Sequence, residues 1–209
     1  MIGSIRGIRR WSRSGGSAST PLSGETRLND LPELSIVVVV FNMQREAPRT
    51  LHSLSAEYQR CVSPADYEVV VVDNGSDEPL DSTDVAKFGE NFSYRYLVDA
   101  RPSPAAAVNL GVAESASKNV GIMVDGARIA SPGVIGLALR ALRSFHPTVV
   151  GTIGFHLGPD IQTRSIGDGY DCLTEDELLT DIDWEKNGSA LRGKLSCRIE
   201  REGLVWCPR

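Results

Sequence analysis

From about residue 34 onward, continuous apolar runs alternate with segments whose apolar residues recur at helical spacing. LSIVVVVF (34–41) is β-branched and unbroken, the pattern of a strand covered on both faces. Behind NMQREAP, the residues Leu51, Leu54 and Tyr58 fall on one helical face, with Pro48 in the first turn, where a missing N–H is tolerated. YEVVVV (67–72) predicts a second strand, and FSYRYLV (92–98), which alternates less cleanly, a third and more exposed one. Ser103-Pro104 reads as an N-cap followed by proline at the first helical position, ahead of the Ala-rich AAAVNLGVAESAS. NVGIMV (119–124) predicts a fourth strand that stops on Asp125. Ser131-Pro132 repeats the cap signal before a stripe of Ile135, Leu139 and Leu142, and TVVGTIGF (148–155) predicts a fifth strand.

This β-α alternation predicts an α/β fold: a Rossmann-like, mostly parallel sheet with helices on both faces. Such sheets bind ligands beyond the carboxyl ends of their strands. Phe41-Asn42, Asp73-Asn74 and Asp125 close three of the predicted strands, so they share that edge. After residue 156 the pattern loosens. DGYDCLTEDELLTDIDWEKNG (168–188) is acidic, with one short helix expected around 174–181. The expected division is a disordered basic tail over 1–30, a sheet domain over 31–156 and an irregular segment over 157–209.

Composition narrows the function classes. A chain of 209 residues with 41% hydrophobic and 23% charged content is large enough for one well-packed domain. A net charge of −5 gives no electrostatic footprint for nucleic acid, and no apolar run approaches the roughly 20 residues of a membrane span. Residues 1–24 hold Arg6, Arg9, Arg10 and Arg13 and no acid, leaving −9 on the rest. An Arg- and Ser-rich head is compatible with a transit peptide or with peripheral association with an anionic membrane; a disordered tail is the plainer reading. Cys61, Cys172, Cys197 and Cys207 form no C-x-x-C pair and no zinc-ligand spacing, so free thiols in a reducing, cytoplasmic compartment are expected.

The candidate chemistry sits at the strand ends. Asp73-Asn74-Gly75-Ser76 is strong turn chemistry. It also places a carboxylate where it could accept a hydrogen bond from a uracil N3–H or a ribose hydroxyl, and both readings stand. Asp125, followed by Gly126, is turn-compatible too. A carboxylate beside a nucleoside diphosphate becomes favourable when a divalent metal bridges the two, as Mg²⁺ does with few protein ligands.

The stretches LSIVVVVFNMQREAPRTLHSL, YEVVVVDNGSDEP and AAAVNLGVAESASKNVGIMVDGARIASPGVI resemble the opening half of the family 2 glycosyltransferases of GT-A fold, over roughly residues 34–145. The likeness lies in the strand order, the Phe-Asn after the first strand, the Asp-x-Gly-Ser after the second, and the Asn-x-Gly helix leading into a D-x-D-like strand end. It implies that Phe41 and Asn42 border a nucleotide with Glu46 close by, that Asp73 and Asn74 lie at the base, and that Asp125 and Gly126 lie at the ribose and a metal–diphosphate group. It further implies a nucleotide-diphosphate sugar as donor, a Mn or Mg ion, inverting transfer to a hydroxyl of an unknown glycan, lipid or other acceptor, and an acceptor side in 157–209.

Two departures qualify it. The second acid of D-x-D falls on Ala127, which puts metal dependence in doubt, although His156 at the end of the predicted fifth strand could serve as a late ligand. No general base is recognisable: Glu175 and Asp176 follow no motif and read as a solvated helix face, and Trp184 reads as a buried anchor. The alternative is therefore an inactive or truncated module that only binds a nucleotide sugar or a protein partner. A dinucleotide oxidoreductase and a P-loop enzyme are weaker readings still, because FNMQREAP holds no glycine. It also lacks the Gly- and Lys/Arg-rich phosphate loop of a nucleotidyltransferase.

Overall fold

A computed structural model describes residues 31–124, 126–160 and 162–195. The expected tail (1–30), Asp125, Cys197 and Cys207 lie outside the described residues.

Four strands form one parallel sheet: β1 (Leu34–Val40), β2 (Tyr67–Asp73), β3 (Phe92–Tyr96) and β4 (Val120–Val124), in the order β3-β2-β1-β4. The most apolar runs are the central pair, every residue of β1 being buried. Helices cover both faces, as the α/β alternation requires. On one face α1 (Ala47–Leu54), α2 (Ser82–Ala86) and α4 (Val134–Ser144) bring Leu51, Leu54, Val85, Ile135 and Leu139 onto Ile36, Val38, Val40, Val69 and Val71. On the other, α3 (Ala105–Glu114) lays Ala107, Val108 and Leu110 against Val37, Val39, Val70 and Val72. Gly111 permits this approach, because a Cβ there would lie 2.3 Å from the Val37 Cγ1.

The expected fifth strand is not formed. Residues 148–155 are irregular, and Val149 and Ile153 are 98% and 76% exposed. A strand needs a ladder partner; the segment has none among the described residues, and Gly151 and Gly154 weaken its preference. Leu157 makes only an isolated antiparallel bridge to Leu195.

Beyond it lie α5 (Gln162–Gly167), α6 (Cys172–Asp181) and a 3-10 helix (Gly188–Lys194). The helix expected at 174–181 starts two residues earlier, because Asp171 caps it by accepting from the Thr174 N–H. Leu179, Trp184 and Leu191 form a small separate core with Tyr58. Trp184 is thus the buried anchor that its setting suggested, its ring edge-to-face with Tyr58 at 5.8 Å and His52 at 5.4 Å.

Candidate functional site

The register of β1 on β2 opposes Val40 to Asp73, so the two strands end together and their loops leave side by side. Those loops are stitched to each other. Asn42, held at φ 51°, donates its backbone N–H to the Ser76 hydroxyl at 2.8 Å. Its side-chain amide exchanges two bonds with Asp77: Nδ2 donates to Oδ2 at 3.1 Å, and Oδ1 accepts from the Asp77 N–H at 2.9 Å. Phe41 stands beside this rim, 52% exposed.

Asp73 is fully buried. One carboxylate oxygen accepts from the Ser76 N–H at 2.8 Å, and the other from the Tyr94 hydroxyl at 3.2 Å and the Leu80 N–H at 3.4 Å. Burial, then the charge of Asp73, pushes the Tyr94 phenol well above its ordinary range. Gly75 completes the turn at φ 80°, where a Cβ would also strike the Ala100 Cβ at 2.5 Å. The turn reading of Asp73-Asn74-Gly75-Ser76 is therefore fulfilled in full.

Asn74 differs from Asp73. It is 5% exposed, and its Nδ2 donates to the Arg101 carbonyl at 3.1 Å, yet its buried Oδ1 has no hydrogen-bond partner. A buried acceptor left unmade costs about 1–3 kcal/mol, so it calls for a ligand or a water.

The loop after β4 is held from α1, by residues the sequence reading passed over. Thr50 Oγ1 donates to the Gly126 carbonyl at 2.6 Å and accepts from the Arg128 N–H at 3.0 Å. Ser53 Oγ accepts from the Ala130 N–H at 2.9 Å. Gln59 Oε1 accepts from the Gly133 and Ile135 amides, capping α4 in place of the expected Ser131. Gly126 is buried, and a Cβ on it would meet the Val40 Cγ1 at 2.6 Å, so this loop presses against the end of β1. Thr50 and Ser53, buried polar residues three apart on α1, were the available signal; Gln59 lies beyond the end of that helix.

Glu46 and the acid pair of α6 belong to one ionic cluster. Arg45 pairs with Glu46 at 2.7 Å, Asp176 at 2.6 Å and Glu175 at 3.3 Å, and it also donates to the Cys172 carbonyl at 2.8 Å. Arg49 pairs with Glu175 and Asp176. The expectation of a solvated face for Glu175 and Asp176 is thus corrected: two arginines of the α1 region face them, something no local pattern in α6 encodes. Hydrogen bonds from Arg49, then Arg45, hold the Asp176 carboxyl below its usual range. Burial, then Glu175, pushes the neighbouring Tyr170 phenol up to about 12. His156 packs edge-to-face on Tyr170 at 4.8 Å; with no fifth strand formed, the reason for placing it on the ligand edge lapses.

The family model for glycosyl transferase family 2 matches residues 35–170, well over half of the chain. The chain belongs to glycosyl transferase family 2. Its four-stranded parallel α/β sheet is the GT-A-like arrangement expected of that family. No curated protein sequence matches. Among solved structures it is similar to S. aureus TarS 1–349, at 18% identity, TM-score 0.49 and 62% of this chain. It is similar also to S. aureus TarS, at 19% identity, TM-score 0.49 and 60% of this chain. A third structure, TarS 1–349 in complex with UDP, has 19% identity, TM-score 0.48 and 57% coverage. This chain spans 41%, 24% and 38% of those three chains.

The Ala127 methyl offers no ligand atom, and among the described residues no three His, Cys, Asp or Glu side chains converge to hold an ion. Among those residues too, no helix is long and apolar enough to cross a membrane.

Proposed function

We propose that this chain carries the donor half of a glycosyltransferase and binds a nucleotide-diphosphate sugar across the carboxyl ends of β1, β2 and β4. The observation that carries the reading is the unpartnered Asn74 Oδ1, buried at the strand end where a parallel sheet receives ligands. A base N–H or a ribose hydroxyl would complete it once the side chain turns toward the edge, since the oxygen is itself closed off. Asp73, with both oxygens engaged, acts through the turn by holding Asn74 in place. Phe41 offers an aromatic face at the rim, while Asn42 fixes the two loops to each other, so little ordering remains to be done on binding.

The reaction that fits is inverting transfer. The acceptor oxygen attacks the anomeric carbon from the face opposite the diphosphate, its proton passes to a base, and the sugar–diphosphate bond breaks with its electron pair leaving on the released nucleoside diphosphate. A divalent ion, where the site takes one, would rest on Asp125 and the diphosphate and would supply charge stabilisation to the leaving group. With Ala127 beside it, no step is assigned to that ion.

Calorimetric titration with UDP and GDP, each with and without Mn²⁺, tests the reading. Binding by the wild-type chain, lost in Asn74→Ala while thermal unfolding is retained, is the expected result. A folded chain that takes up neither nucleotide would overturn it. Equal affinity with and without Mn²⁺ would mark a metal-independent donor site.

A further inference from the structure

Strand β3 alternates between the two faces of the sheet. Arg95 reaches the face of α3, where it pairs with Glu114 at 2.7 Å. Phe92 and Tyr94 pack on the opposite core, under α1, α2 and α4, and Tyr96 follows them onto that face by the two-residue period of a strand. Asp73 follows Val69 and Val71 to the same face, level with Tyr96 in the register of β2 on β3. Two phenols two residues apart therefore stand beside the turn that closes β2. The Tyr94 hydroxyl donates to Asp73 Oδ2 at 3.2 Å, and the Tyr96 hydroxyl donates to the Ser76 carbonyl at 3.3 Å. The turn is gripped at its first residue and its last, on either side of Asn74.

We propose that Tyr94 and Tyr96 are positioning residues for the nucleotide: they fix the backbone on both sides of Asn74, so that on binding only the Asn74 side chain has to turn. The inference rests on the donor-site reading of Asn74. The other donors to the Asp73 carboxylate, the Ser76 and Leu80 amides, belong to the loop itself, so Tyr94 supplies its tether from a neighbouring strand. All three donors are neutral, and the carboxylate is fully buried. A buried charge held by neutral donors depends on each of them. Without the phenol, the freed oxygen reaches water only by moving the turn. The nucleotide must then order that turn as it arrives, which lowers affinity. Burial, then the Asp73 charge, keeps the Tyr94 phenol in its donating form well past neutral pH.

Calorimetry of the 209-residue chain with UDP or GDP, whichever the wild type takes up, and with the matching monophosphate tests this. Tyr94→Phe is expected to weaken both ligands by the same factor, about tenfold for a hydrogen bond to a charged group. Tyr96→Phe, which loses a bond to a neutral carbonyl, is expected to weaken both by about threefold. Equal factors place the effect at the nucleoside end, whereas a general loosening of the site would also weaken the diphosphate contacts. Tyr67→Phe is the control. Its buried hydroxyl donates to the Leu54 carbonyl at 2.6 Å, at the opposite end of β2, so its loss should lower the unfolding temperature and leave both affinities unchanged. A folded wild-type chain that binds neither nucleotide overturns the donor-site reading and this inference with it. A wild type that binds, beside folded Tyr94→Phe and Tyr96→Phe variants of undiminished affinity, overturns this inference alone. So does a loss that falls mainly on the diphosphate or that Tyr67→Phe reproduces, since either marks a structural role.

Discussion

Gly111 shows how much one missing methyl group decides. Helix α3 is Ala-rich and needs no glycine for its own sake, since Gly is worth about 1 kcal/mol less than Ala in a helix interior. Propensity therefore predicts that Gly111→Ala stabilises. The 2.3 Å approach of a Cβ to the Val37 Cγ1 predicts the reverse, because Val37 is fully buried and cannot swing aside. Overpacking of this kind typically costs about 1–3 kcal/mol, so Gly111→Ala is expected to lower the urea midpoint with the slope unchanged. Thr50 is the polar counterpart. Thr50→Val keeps the volume but strands the Gly126 carbonyl and the Arg128 N–H, two groups of the loop that follows Asp125. A loss of about 1–3 kcal/mol in stability is expected for such stranded groups. Weaker UDP binding is expected with it, read by denaturation and calorimetry of the same variant.

Among the elements, α6 is fastened by charge as well as by the burial of Leu179. Its Glu175 and Asp176 meet Arg45 and Arg49 across a partly exposed interface, which is sensitive to both acid and salt. The lowered pKa of Asp176 fixes the direction. A carboxyl depressed in the folded state contributes attachment above its ordinary value of 3.8, and that contribution is lost as pH falls through the lower folded value. Docking of α6 is thus expected to hold at neutral pH and to loosen below about pH 3.8. Trp184 fluorescence in a Trp11→Phe, Trp206→Phe chain reads this. Asp176→Asn should show the loosened signal already at pH 7, and a wild-type signal from that variant would show that charge is not what fastens α6.

At the scale of the whole molecule, two cores share the sheet and a third hangs beside it. Val37 to Val40 and Val69 to Val72 belong alternately to the two faces, so β1 and β2 cannot open without exposing both. Trp184, Leu179 and Leu191 depend instead on Tyr58 and on the ion cluster. Hydrogen exchange is therefore expected to be slowest in β1 and β2, with 172–194 opening sub-globally at lower free energy. Trp184→Ala, a truncation worth about 3–5 kcal/mol in a packed core, should accelerate exchange in that segment and leave β1 and β2 nearly unchanged. Uniform acceleration would show instead that the segment and the sheet unfold as one unit.

Much of this was legible in the residues. The unbroken valines of β1 and β2 determine a two-sided sheet, because nothing polar interrupts them. Asp73-Asn74-Gly75-Ser76 determines a turn, since Asp73 accepts from the Ser76 N–H three residues on and the glycine permits φ 80°. Tertiary structure decided what depends on partners distant in the chain. TVVGTIGF has strand composition, but a strand exists only where a neighbour supplies the ladder. Ser131 has cap chemistry, but Gln59 reaches the α4 amides instead. Glu175 and Asp176 look solvated until α1 brings Arg45 and Arg49 against them, and nothing local separates Asp73, whose oxygens are all used, from Asn74, whose Oδ1 is not. Local chemistry specifies short-range hydrogen bonds and apolar periodicity; which polar atom is left unsatisfied is settled only when the whole chain has closed around it.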